Sequence, residues 1–226
     1  KNKKKSNLKN ILFKEDMIWI PQKYHKSPPI LSTIFDIISL YLKLKLIHKK
    51  TPIDLIHARS YIMTLVAYKL NKQFKIPFIF DMRGFYPDER VDGKIWNLNN
   101  QFYHLIYRFF KKKEKQFLQA SEINISLTKN AKKEIISWSL KNLSPFEIIP
   151  CCTDFNFFNQ KTKNMRNQLG IKEKDFVISY VGSLGTWYML NEMLLFFKSF
   201  IKFKKNVKFL IITNESKDII LSSAKN

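Results

Sequence analysis

Phe176-Val-Ile-Ser-Tyr-Val-Gly-Ser-Leu-Gly-Thr-Trp-Tyr188 is the stretch that decides the fold class of this chain. Phe176 to Val181 has strand character, a Gly-x-x-Gly turn follows at once, and Trp187 to Phe203 carries a helical pattern. The apolar run Val207 to Thr213 then supplies a second strand, so the segment predicts one βαβ unit. Such a turn aims backbone N–H groups and the positive end of a helix dipole at one point, a ready site for phosphate.

Toward the N-terminus the same alternation repeats. Ser27-Pro-Pro-Ile30 opens a helix that runs to about His48, with Leu31, Ile34, Phe35, Ile38 and Leu42 at helical spacing. Asp54 to Ala58 reads as a short buried strand, and Ser60 stands where it would cap the helix Tyr61 to Phe74. Phe78 to Met82 is a second strand, leading into a charged loop from Asp81 to Gly93. A long aromatic helix is predicted from Asn97 to Leu118, a strand over Glu122 to Leu127, a helix from about Asn130 to Trp138 and a strand over Phe146 to Pro150. Strands alternating with helices predict an α/β fold with parallel sheets.

The 226 residues are 45% hydrophobic, ample for a core and too apolar for a disordered chain. A start at Lys1 and a stop at Asn226 inside a helical pattern are what a piece of a longer protein would show. The net charge of +22 rests on 40 basic residues, of which five are Arg: Arg59, Arg83, Arg90, Arg108 and Arg166. Specific nucleic-acid recognition favours the Arg fork, so a Lys-dominated surplus argues against it. Two readings of the charge stand, the codon usage of an AT-rich genome and an affinity for an anionic surface, with membrane ahead of nucleic acid. Cys151 and Cys152 are adjacent, which disfavours a disulfide between them and reads as packing and linker chemistry in a reduced, cytoplasmic protein. No metal-ligand spacing is present, no apolar run reaches the ~20 residues of a membrane span, and no signal peptide is visible.

Ligands of open α/β sheets collect at the carboxyl ends of strands, and three such ends carry polar chemistry here. In Gly182-Ser-Leu-Gly-Thr186, glycine permits close backbone approach while Ser183 and Thr186 add hydroxyl donors; an ordinary strand-to-helix turn is the alternative. The loop after the second strand holds Asp81, Arg83, Asp88, Glu89, Arg90 and Asp92, a cluster able to orient hydroxyls or bind an anion. Its alternative is a solvated loop with internal ion pairs. His57 and Ser60 end the first strand, where a lone histidine commonly serves structure. The helix Asn97 to Leu118 sets Phe102, Leu105, Ile106, Phe109, Phe110 and Phe117 beside Lys111-Lys-Lys113, either a core-facing helix with a solvated end or a patch for anionic lipid.

Taken in order, Asp54-Leu-Ile-His-Ala-Arg-Ser60, Ile76-Pro-Phe-Ile-Phe-Asp-Met-Arg-Gly-Phe-Tyr-Pro-Asp-Glu89, Ile149-Pro-Cys-Cys-Thr-Asp-Phe-Asn-Phe157 and Tyr180-Val-Gly-Ser-Leu-Gly-Thr-Trp187 resemble family 4 glycosyltransferases of the GT-B fold, over about Asp54 to Thr213. The resemblance implies two Rossmann-like domains: an acceptor-side domain over residues 1–160, a linker at 161–174 and the start of a donor domain at 175–226. It implies metal-independent, retaining sugar transfer from a nucleotide sugar, UDP- or GDP-linked, to a glycan or lipid-linked acceptor in making a surface polysaccharide. No cofactor is implied. The expected location is cytoplasmic, with the inner face of the cytoplasmic membrane as a candidate peripheral site.

Carried over by position, Gly182, Ser183, Leu184, Gly185 and Thr186 would face the donor phosphates. Arg83 stands about where many relatives place a histidine, and with Asp81 and His57 would form the catalytic set. Ser60, Asp88, Glu89 and Arg90 would line the acceptor cleft. Ser183 and Trp187-Tyr188 stand where relatives often carry basic residues. The family's C-terminal E-x7-E pair and its N-terminal glycine-rich loop are not found, so residues 1–226 alone are expected not to turn over. Two rivals stay open: a non-catalytic basic α/β module on membrane or nucleic acid, and a GT-B-like sugar-nucleotide epimerase.

Overall fold

The computed structural model describes residues 8–9, 11–158, 164–185 and 187–225. The chain divides into two compact units, Lys1–Tyr86 with Phe109–Pro150, and Pro87–Arg108 with Cys151–Asn226. Its elements in order are α1 (Pro29–Lys50), β1 (Ile56–Arg59), α2 (Tyr61–Phe74), β2 (Phe78–Asp81), α3 (Tyr86–Asp92), α4 (Gln101–Ala120), β3 (Ile123–Ser126), α5 (Lys129–Ser137), β4 (Phe146–Ile148), α6 (Phe155–Phe158), β5 (Phe176–Val181), α7 (Leu190–Phe203), β6 (Val207–Ile212) and α8 (Lys217–Lys225).

In the first unit β1 to β4 form one parallel sheet in chain order. Right-handed crossovers stepping always the same way place their helices on one face, and the aromatic core shows that face. Tyr61 and Tyr68 of α2 and Phe117 of α4 cluster with Phe78 and Phe80 of β2, with ring centroids 5.3–6.5 Å apart within the cluster. The inner side of α1 adds Tyr41, with Ile37, Leu40 and Leu44, against Val66 and Leu70. The opposite face carries His57, Arg59, Ile79, Asp81, Ile123 and Ile125, all half-buried or exposed.

Among the described residues of this unit, buried Asn124 and Glu114 both have partners. Alternation marks Ile123-Asn-Ile-Ser126 as a strand, yet its polar residues, Asn124 and Ser126, are the ones turned to the core. Asn124 donates to the Leu118 and Ser144 carbonyls and accepts from the Ser121 hydroxyl, tying three connections together. Buried Glu114 accepts from the Tyr61 hydroxyl and pairs with Lys111 Nζ at 2.6 Å. The Lys111 ammonium also lies 4.8 Å from the Trp138 ring centroid.

Several boundaries differ from the sequence reading. The charged segment after β2 is largely helix, not loop: Pro87 is compatible with a first helical turn, and Asp88 and Glu89 complement its positive end. Helix α4 starts at Gln101, because Asn97 and Asn100 accept from the N–H groups of Asn99 and Phe102 and form Asx turns first. Cys151 and Cys152 are exposed free thiols, not packing residues. Within the expected linker, Arg166 donates to the carbonyls of Lys172 and Asp175, folding that stretch on itself. Among the described residues no helix is long and apolar enough to cross a membrane.

In the second unit β5 and β6 pair in parallel with α7 as their crossover. Phe197 stacks on Phe209 at 5.2 Å, and Phe200 meets Phe176 at 5.8 Å.

Candidate functional site

Strands β1 and β2 end side by side, with Arg59 opposite Asp81 in the register. Period-two alternation puts His57, two residues back, on the same face as both. His57 Nε2 stands 3.3 Å from Asp81 Oδ2, the imidazole exposed and the carboxylate half-buried. A carboxylate in that position orients the ring.

The two turns that leave these strands are strained. Ser60 has φ 72° and ψ 163°, a region used almost solely by glycine. Its N–H donates to the Asp81 carbonyl at 2.8 Å, and its own carbonyl accepts the N–H and the hydroxyl of Thr64. The expected side-chain cap is absent: Ser60 holds the N-cap position of α2, but its hydroxyl makes no bond to the helix. The bond to Asp81 accompanies the unusual backbone instead. Arg83 lies at φ 66°, with the Gly84 N–H donating to the Met82 carbonyl at 2.8 Å across it. That closes a three-residue γ-turn of the rare, strained kind and presents Arg83 on the surface.

His57, Ser60, Asp81 and Arg83 are thus brought to one edge of the first unit. Together they set an imidazole, a hydroxyl, a carboxylate and a guanidinium along that edge. An arginine at the place of Arg83 is no general base. Arg59 joins them opposite Asp81 and was missed in the sequence; its signal is that arginine is scarce in a lysine-rich chain.

The second unit holds the remaining candidates. Asp88 accepts from the Tyr107 hydroxyl at 2.8 Å, so one of its oxygens ties α3 to α4. Glu89 is exposed and Arg90 half-buried. In the glycine turn, the Gly182 N–H continues the ladder to the Ile212 carbonyl at 3.0 Å, so it is not a free phosphate donor. Tyr180 donates to the Ser183 carbonyl at 2.6 Å, and Leu184 is buried. Thr186 lies outside the described residues. The helix does not begin at Trp187 but at Leu190, after a Tyr188 N–H to Gly185 carbonyl turn and a left-handed Met189. Trp187 donates instead to the Glu89 carbonyl at 3.0 Å.

The model of Glycosyltransferase Family 4 matches residues 7–157. This chain belongs to glycosyltransferase family 4. Among solved structures, sucrose-phosphate synthase from Thermosynechococcus elongatus superposes with a TM-score of 0.62 at 14% identity, covering 88% of this chain and 47% of that one. A Listeria monocytogenes protein assigned as a UDP-N-acetylglucosamine 2-epimerase gives 0.51 at 12% identity, covering 96% and 54%. These likenesses show the Rossmann-like GT-B fold, and the chain spans about half the length of either protein. None of the curated proteins matches it.

Proposed function

We propose that this family 4 chain is part of an enzyme that transfers a sugar from a UDP- or GDP-linked donor to a glycan or lipid-linked acceptor. The observation that carries the reading is the pair of strained turns, Ser60 and Arg83, flanking the His57–Asp81 pair at the carboxyl edge of a sheet that the family model covers. Strain of about 1–3 kcal/mol persists where surrounding structure enforces it, and it concentrates at active sites.

In this reading the first unit meets the acceptor and the turn after β5 meets the donor. His57, oriented by Asp81, holds or passes a proton at a sugar or acceptor hydroxyl. Arg83 and Arg59 supply positive charge for an anionic acceptor. Because the Gly182 N–H is engaged, phosphate contacts fall to the backbone from Ser183 onward. Transfer proceeds with retention and without a metal, the leaving diphosphate being stabilised by basic groups and backbone donors. The acceptor belongs to a surface polysaccharide, assembled at the inner face of the cytoplasmic membrane.

A thermal-shift panel on the full-length protein with UDP, GDP, ADP and their sugars, at low and high salt, tests this. A selective, salt-tolerant rise with one nucleotide supports the transferase. Stabilisation by polyanions alone, lost at high salt, replaces it with the basic-module reading. Conversion of the donor without any acceptor replaces it with the epimerase.

A further inference from the structure

Trp187 sits where a helix was expected, and its side chain is committed elsewhere. The indole N–H donates to the Glu89 carbonyl, which also accepts the Gly93 N–H at 2.9 Å near the end of α3. The ring lies directly over Gly93: a methyl group added there would stand 2.7 Å from Cε2, Cζ2 and Nε1 of the indole. Gly93 is buried, and its φ is not in the left-handed range. Glycine is therefore required here for space rather than for backbone freedom. Both partners lie in the unit formed by Pro87–Arg108 and Cys151–Asn226.

The glycine turn has separate anchors. Gly182 is held by β6, Ser183 by Tyr180 and Gly185 by Tyr188, all within β5, β6 and the turn itself. The Trp187 indole reaches instead to α3, the helix of Asp88, Glu89 and Arg90.

We propose that Trp187, seated on Gly93, is a positioning residue that fixes the Ser183–Gly185 turn against α3 and thereby sets affinity for the nucleoside-diphosphate end of the donor. The proposal rests on the donor reading of that turn. Trp187 touches no reacting atom; it acts by holding backbone donors in place.

The test compares full-length wild type with Trp187→Phe, Trp187→Ala and Gly93→Ala, by titration with UDP and GDP, steady-state transfer, and amide hydrogen exchange at residues 183–185. Trp187→Ala should raise the nucleotide Kd and donor KM about tenfold, the upper range for one lost hydrogen bond. The acceptor KM should stay within about twofold, and exchange at the turn should accelerate. Trp187→Phe, which keeps a ring over Gly93, should recover part of the loss. Gly93→Ala should reproduce the loss with the indole intact, and adding it to Trp187→Ala should change little further. Wild-type exchange and wild-type nucleotide affinity in Trp187→Ala would overturn the proposal. Faster exchange in a protein whose wild type binds neither nucleotide would keep the positioning role and overturn the donor reading.

Discussion

Replacing Ser60 by glycine should stabilise this protein, against the usual direction of a change at a helix N-cap. Ser60 occupies φ 72°, ψ 163° with its hydroxyl unused by α2. Relief of that conformation is worth about 1–3 kcal/mol. The freedom that glycine adds to the unfolded chain takes back about 0.5–1 kcal/mol. The net gain is about 0–2.5 kcal/mol, at about 2–4 °C in Tm per kcal/mol for a chain of this size. Ser60→Ala keeps the strain and loses no cap bond, so it should lie within about 0.5 kcal/mol of wild type. A working serine cap would behave oppositely, losing about 1 kcal/mol on alanine and a few tenths on glycine. Urea unfolding of the three proteins, with unchanged m, separates the two cases. A lower midpoint for Ser60→Gly together with a loss of about 1 kcal/mol for Ser60→Ala would refute the reasoning. The same glycine variant should transfer sugar more slowly, because the enforced turn would no longer be held in one geometry.

His57→Gln should lower sugar transfer by about 10²-fold while leaving Tm unchanged, and a wild-type rate would remove His57 from the chemistry. Asn124→Leu should cost about 2–4 kcal/mol in thermal unfolding, since it strands the Leu118 and Ser144 carbonyls and the Ser121 hydroxyl in the core. Asp36 accepts the backbone N–H of His25 and its ring Nδ1, and these bonds hold its carboxyl below the ordinary 3.8. A depressed carboxylate contributes stability above that ordinary value and loses it as pH falls through the lower folded value. The stability difference between wild type and Asp36→Asn, read by unfolding midpoints, should therefore be complete at neutral pH and close on acidification; a pH-independent difference would exclude a contribution from the ionised Asp36 carboxylate.

Period and punctuation determined the architecture. Runs such as Phe78-Ile-Phe80 and Phe176 to Val181, bounded by Pro, Gly and helical stretches, can bury their apolar residues only as parallel strands with helical crossovers. The scarcity of arginine likewise pointed to Arg83 before any contact was known. Local pattern could not say which face of a strand turns inward. Ile123-Asn-Ile-Ser126 buries its polar side because Leu118, Ser121 and Ser144, distant or differently placed in sequence, offer Asn124 its partners. Nor could it place Arg59 opposite Asp81, give Ser60 a glycine-like backbone, or send Trp187 to Gly93 across ninety-odd residues of chain. Periodicity reports local dihedrals and net burial, whereas pairing between strand ends and the space left over a glycine are set by tertiary packing alone.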